Sequence, residues 1–231
     1  TRVTSRPGTE VPVAWRGRDT IVYQTGGETG RDLWTVPADG SAPPSLLHDD
    51  SLDMAQVALD PSGRRGVLLT PDRWTGDGYR GRDVHLFQLG EPDSTERVLE
   101  TEGYAVGAPT VSPDGAWLAY VSTETDRDEV VVRSFPDLSE RRMQVSVVGG
   151  SDPTWGPDGS TLFYVNGNRR LIRARIGTGE GGVVRTPLFT VPQDLALNTL
   201  LSPQGRFFVL RSRPELLVFF NWAEMAEAGG N

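Results

Sequence analysis

Three stretches of this chain hold residue types whose spacing could do chemistry. GTGEGG at 177–182 sets Gly177, Gly179 and Gly182 in the G-x-G-x-x-G pattern by which a backbone cradles pyrophosphate. That chemistry needs a helix N-terminus just after the glycines, whose free N–H groups meet the anion. VVRTPLF follows instead and reads as a strand, so the stretch is expected to be a hairpin loop. Two acidic clusters, HDDSLD (48–53) and ETDRDE (124–129), offer oxygen ligands. Neither has a calcium-loop spacing, and both read as solvated turns. The only histidines, His48 and His85, are far apart, and cysteine is absent. A zinc site of nitrogen and sulfur ligands, a disulfide and a thiolate nucleophile are all excluded. His85 lies in an apolar strand and reads as a packed core histidine. No G-x-S-x-G elbow and no serine–histidine–acid set is present. The chain is therefore read as not an enzyme, with no cofactor and no metal.

The elements that carry these residues follow a repeat. PTVSPDGAWLAYVS (109–122) is nearly restated as PTWGPDGSTLFYVN (153–166). The turn itself recurs as DPSG (60–63), SPDG (112–115), GPDG (156–159) and SPQG (202–205), at intervals of 52, 44 and 46 residues. A degenerate copy, VAWRGRDTIVYQT (13–25), lies upstream, where Trp15 and Tyr23 match Trp155 and Tyr164. A period in the mid-forties is the mark of four-stranded propeller blades. In the turns, Asp60, Asp114 and Asp158 are placed to bond nearby backbone, and Gly63, Gly115, Gly159 and Gly205 to take the positive φ that ends the turn. These residues are read as structural.

The segments after the turns, AWLAYVS, STLFYVN, RFFVLRS and RRGVLLT, are apolar on both faces. Strands covered on both sides read this way, and stacked blades supply the cover. A second apolar strand follows in each unit, then a more polar edge such as RMQVSVV (142–148). The expected fold is one all-β propeller domain over 1–231, with repeats near 9–50, 51–103, 104–149, 150–192 and 193–222. The five repeats make either a closed ring or part of a ring of six or more blades. TRVTSRPG (1–8) is placed as an outer strand that closes the last blade, and AEMAEAG (223–229) as a short helix.

One loop breaks the repeat. TPDRWTGDGYRGRD (70–83) is longer than its counterparts, such as STETDRDE (122–129) and NGNRR (166–170). It gathers Arg73, Trp74, Tyr79 and Arg80, residue types that dominate binding hot spots. Loops on a rigid scaffold carry function disproportionately, so these four are taken as a binding face, flanked by Arg127, Asn168 and Arg169. The alternative is a long hairpin whose aromatics fold back on a neighbouring blade.

SPDGAWLAYVSTETDRDEVVVRSFP (112–136) and QVSVVGGSDPTWGPDGSTLFYVN (144–166) resemble the WD40-like, or PD40, repeats of TolB-like proteins. The terminal VFFNWAEMAEA (218–228) is similar to the end of the C-terminal propeller in bacterial serine/threonine protein kinases. The resemblance implies a protein-binding platform: a sensor or scaffold module of a bacterial signalling protein, set outside the cytoplasm. It carries no catalytic residue over. Net charge is −8 with dispersed basic residues, which speaks against nucleic acid, and no apolar run is long enough to insert in a membrane. The expected partner is a protein or peptide, or a small ligand in the axial channel, with a homodimer if the ring is incomplete. The competing functions are a channel-centred hydrolase or lyase, and a gate for a peptidase domain.

Overall fold

The computed structural model describes residues 10–17, 19–25, 32–48, 54–75, 78–91, 94–177, 182–192, 195–201, 207–211 and 216–219. The N-terminal strand expected at 1–8, the helix expected at 223–229 and Gly205 lie outside them. Every described element is a β-strand. The chain divides into two compact units, Thr1–Val106 and Gly107–Asn231.

The first unit holds two four-stranded antiparallel sheets. One runs β1 (Glu10–Arg16), β2 (Thr20–Thr25), β3 (Leu33–Pro37), β4 (Ser45–His48) in spatial order. The other is built from β5 (Gln56–Leu59), β6 (Arg65–Leu69), β9 (Val84–Gln88) and β10 (Glu96–Leu99). Between β6 and β9 stands a separate hairpin, β7 (Arg73–Thr75) and β8 (Gly78–Gly81). The second unit repeats the plan with β11 (Val106–Val111), β12 (Trp117–Ser122), β13 (Glu129–Ser134) and β14 (Arg142–Gln144), whose first residue is the last of the first unit. Then come β15 (Ser151–Trp155), β16 (Thr161–Val165), β17 (Arg170–Ile176) and β18 (Val183–Thr190). A three-stranded sheet, β19 (Leu195–Leu201), β20 (Phe207–Arg211) and β21 (Leu216–Phe219), follows.

The turn chemistry explains why each first strand folds back on its second. Gly63, Gly115 and Gly159 all have φ between +62° and +70°, a region cheap only for glycine. The aspartate carboxylates close the same turns. Asp60 Oδ1 accepts from the Arg64 and Arg65 amides at 3.0 and 3.1 Å, and Asp114 Oδ1 accepts from Ala116 N at 3.1 Å. Asp158 Oδ1 takes Ser160 N and Thr161 N at 3.1 and 2.8 Å. Partial burial pushes the Asp158 carboxyl up, but the Thr161 and Ser160 hydrogen bonds outweigh it and hold it below the ordinary value. The first sheet lacks the proline–aspartate turn and uses Gly17, φ +70°, alone.

The second strands are covered on both faces. All five positions of β16 are buried, as are four of five in β6. Leu162, Tyr164, Ile172 and Ala174 of one sheet pack with Ala119, Val130, Val132 and Val145 of the preceding one. Each fully buried leucine or valine contributes roughly 1.5–3 kcal/mol. Trp155 joins this core and donates its indole N–H to Thr110 O at 3.1 Å, tying β15 to β11. In the first unit the same role falls to Leu33, Met54, Leu68 and Phe87. His48 lies 4.6 Å from Phe87, centroid to centroid, and both histidines are buried.

One strand is shorter than its sequence suggests. The edge segment expected over 142–148 is a strand only to Gln144. Beyond it the Ser146 hydroxyl accepts the Val130 N–H at 2.7 Å, so a side chain takes a donor that a continuing strand's carbonyl would have taken. The chain leaves the sheet there, with consequences for the site.

Candidate recognition site

In the β11–β14 and β15–β18 sheets the loops between second and third strands lie at the end away from the aspartate turns. In the second unit these loops and the connector after β14 enclose a cleft of about 340 Å³. It is lined by Arg127 and Asp128 from the β12–β13 loop, by 148–151 from the connector, and by Val165, Asn166 and Gly167 from the β16–β17 turn.

The walls are fixed from beneath by a buried carboxylate. Glu129, at the start of β13, has a side chain only 2% exposed. It accepts from Arg127 Nε at 2.5 Å, from Gly149 N at 3.3 Å and from the Ser146 hydroxyl. Arg127 Nη2 reaches on to Val147 O at 3.0 Å. Backbone bonds complete the seam: Gly150 N donates to Asp128 O at 2.7 Å, and Gly167 N to Val148 O at 2.9 Å. The strands come this close only because two positions lack a side chain. A Cβ on Gly167 would sit 2.6 Å from Val148 O, and one on Gly150 2.7 Å from Ser146 Cβ. With their carbonyls held, Val147 and Val148 remain 55% exposed, an apolar ledge on a rigid frame.

Ser151 and Asp152 open β15 beside the cleft. Asp152 has φ +54° directly before Pro153, and Ala108, one repeat earlier, has φ +49° before Pro109. Left-handed backbone is uncommon for residues other than glycine, and in β15 it accompanies a bulge, where the register shifts between Ser151 and Thr154. Burial pushes the Asp152 carboxyl above its ordinary value, against the Ser151 hydroxyl that donates to it at 2.7 Å. A carboxyl so placed is a candidate proton donor or acceptor. Among the described residues no group of three or more metal-ligating side chains gathers.

Of the residues proposed from sequence in this unit, Arg127 lines the cleft. Asn168 is exposed on the turn whose Asn166 and Gly167 line it. Arg169, φ +57°, is bonded to the Val191 and Pro192 carbonyls at 3.4 and 2.6 Å and so secures the end of β18. The ETDRDE stretch is not wholly a solvated turn, because its last carboxylate is the buried anchor. Glu129, Asp128 and Asn166 escaped the sequence reading. A signal did exist for Glu129: a carboxylate recurs ahead of the third strand as Asp32, Asp83 and Glu129.

In the first unit, Arg73, Trp74, Tyr79 and Arg80 belong to the β7–β8 hairpin, with Trp74 opposite Tyr79 in register. Its base is clamped. Arg82 Nε and Nη2 each bond one oxygen of Asp72 at 2.8 Å, a fork-to-fork pair. Thr70 N donates to Asp83 O at 3.1 Å, and Asp83 N to Thr70 Oγ1 at 3.0 Å. Gly81, φ +91°, passes so close to Thr101 that a Cβ would meet its Oγ1 at 2.3 Å. The insertion is thus a hairpin on a rigid stem. Of the stretch at 177–182, residues 178–181 lie outside the described residues; at its two ends Gly177 N bonds Gly182 O at 3.2 Å, and Ile176 stands opposite Val183.

No family model and no curated protein sequence matches the chain. Solved structures do. TolB from Acinetobacter baumannii is 13% identical with a TM-score of 0.60, over 93% of this chain and 57% of that one. A puromycin-hydrolyzing peptidase of Mycobacterium tuberculosis is 16% identical with a TM-score of 0.59, over 94% of this chain and 39% of that one. An oligogalacturonate lyase in complex with manganese is 16% identical with a TM-score of 0.63, over 97% and 65%. This chain therefore spans little more than half of the TolB structure and well under half of the peptidase. These likenesses correct the reading of the chain as not an enzyme. The same fold occurs in peptidases and a lyase, and a chemistry assembled from side chains on separate strands leaves no linear motif to find. The chain has the all-β propeller fold common to TolB-like proteins and propeller peptidases.

Proposed function

We propose that the chain is a recognition propeller that binds a protein or peptide at the loop end of its sheets. The observation that carries this reading is the cleft beside Arg127. Its backbone groups are already bonded to one another, Gly150 and Gly167 have no room for an added Cβ, and its walls therefore exist before any ligand arrives. Such preorganisation lowers the ordering cost of binding. The clamped β7–β8 hairpin, with Arg73, Trp74, Tyr79 and Arg80, is a second contact surface of the same kind. The TolB likeness, together with the resemblance to PD40 repeats and kinase C-terminal propellers, supports a sensor or scaffold module of a bacterial signalling protein outside the cytoplasm.

Selection of a displayed random-peptide library on the immobilised chain tests this. Enriched peptides should lose binding on Asn166→Ala or Trp74→Ala and keep it on Asp114→Asn at the opposite end of the sheets. No enrichment, or loss on Asp114→Asn alone, would overturn the proposal. A second reading is favoured by Asp152, whose raised carboxyl beside Ser151 suits general acid–base work in a hydrolase or lyase.

A further inference from the structure

We infer that the cleft of the second unit selects a cationic side chain, lysine or arginine, within an extended peptide that also lays an apolar residue on Val147 and Val148. The inference rests on the recognition reading and names its ligand chemistry.

Charge decides the first part. Among the described residues only two charged side chains line the cleft, Arg127 and Asp128. Arg127 is already matched, since its Nε bonds the buried Glu129 at 2.5 Å and its Nη2 bonds Val147 O at 3.0 Å. The carboxylate of Asp128 is exposed, and no hydrogen bond or ion pair within the described residues engages it. Arg169 and Arg170 follow on the neighbouring turn but line no part of the cleft. The lining with its anchor therefore carries Arg127, Glu129 and Asp128, one negative charge in excess, and that charge sits on Asp128. A carboxylate on a cleft wall is complementary to an ammonium or guanidinium, and a net charge of −8 steers cations towards the protein as a whole.

The remaining groups argue for a peptide. Asn166 Oδ1 is spent on Asn168 N and Arg170 N, at 3.1 and 2.9 Å. Among the described residues its carboxamide nitrogen is left as a donor suited to a backbone carbonyl. The ledge of Val147 and Val148 cannot turn inward, because Arg127 and Gly167 hold its two carbonyls. A cation, a carbonyl and an apolar side chain a residue or two apart are what an extended basic–apolar peptide offers.

The test uses three pools of acetylated, amidated heptapeptides on the full chain. The central residue is lysine, norleucine or glutamate, and the flanking positions are randomised among apolar residues. Titration by fluorescence anisotropy at low and high salt should show the lysine pool binding about fivefold tighter than the norleucine pool, with the glutamate pool weakest. Asp128→Asn should bring lysine down to the norleucine level without weakening norleucine, whereas Val148→Ser should weaken both alike. A lysine preference that survives Asp128→Asn, or its absence in the parent chain while peptides still bind, overturns the cation inference alone. If no pool binds and the displayed library also yields nothing, the recognition reading itself falls.

Discussion

Replacing Arg127 by alanine should cost more stability than the exposure of Arg127 suggests. Its side chain is 55% exposed, but that of Glu129, whose carboxylate it bonds, is 2% exposed. Ion pairs between two exposed side chains contribute about 0–1 kcal/mol. Removing one partner of a buried charge costs about 3–5 kcal/mol, because the charge left behind has lost its water and gained nothing. Glu129 keeps its bonds from the Ser146 hydroxyl and Gly149 N, so the lower bound applies, about 3 kcal/mol. For a chain of this size that is a fall in Tm of roughly 6–12 °C. Urea and thermal melts of Arg127→Ala measure it, and two companions isolate the cause. Glu129→Ala leaves a guanidinium that can rehydrate, and should cost less than Arg127→Ala. In Arg127→Ala with Glu129→Gln the stranded group is a neutral amide, so at least about 1 kcal/mol should return relative to Arg127→Ala alone. A cost below about 1 kcal/mol for Arg127→Ala, or a double variant no more stable than the single, would refute the buried carboxylate as the anchor of the cleft.

Gly81→Ala combines a φ of +91° with a Cβ 2.3 Å from Thr101 Oγ1, and should destabilise by about 3 kcal/mol in a urea melt; a cost under about 1 kcal/mol would show that the hairpin stem yields. Asp152→Asn should raise Tm at neutral pH, since burial disfavours the ionised carboxylate in the folded chain. That gain should shrink as pH falls through the raised folded value and vanish below the unfolded value of 3.8, and a gain equal at every pH would refute the burial account. Trp74→Ala combined with Tyr79→Ala should change stability by less than about 1 kcal/mol if the hairpin is a contact surface, whereas a loss of several kcal/mol marks core packing.

The strand plan was legible because its determinants are local. Asp114 and Gly115 set their turn through bonds within five residues, so SPDG announces a strand reversal wherever it occurs. Burial on both faces was equally plain in the unbroken apolar run of β16. The cleft was less legible, because its contacts span the chain: Ser146 reaches Glu129, and Gly167 reaches Val148, across 17 and 19 positions. Ser146 is one polar residue among several in the edge segment, and nothing in RMQVSVV says that its hydroxyl will displace a ladder bond. Arg127 was found through its place on the loop face that flanks the long insertion, while Asp128 beside it was grouped with solvating charges. The sign of the cleft depends on which of two adjacent charges is matched from below.

A regular repeat cannot by itself specify a ligand, since every unit would present the same surface; specificity has to arise where units differ. In the second unit the difference begins at Ser146. Because its hydroxyl takes the Val130 N–H, β14 stops at Gln144, and the connector is free to turn through Gly149 and Gly150 against the next sheet. The same hydroxyl donates to Glu129, so the event that ends the strand also fixes the carboxylate that holds Arg127. Matching Arg127 from below is what leaves Asp128 as the uncompensated charge on the cleft wall. In the first unit the departure is an insertion instead, and the Asp72–Arg82 pair clamps its base. The repeated turns supply rigidity at one end of each sheet. The departures, each anchored by an ion pair, supply identity at the other.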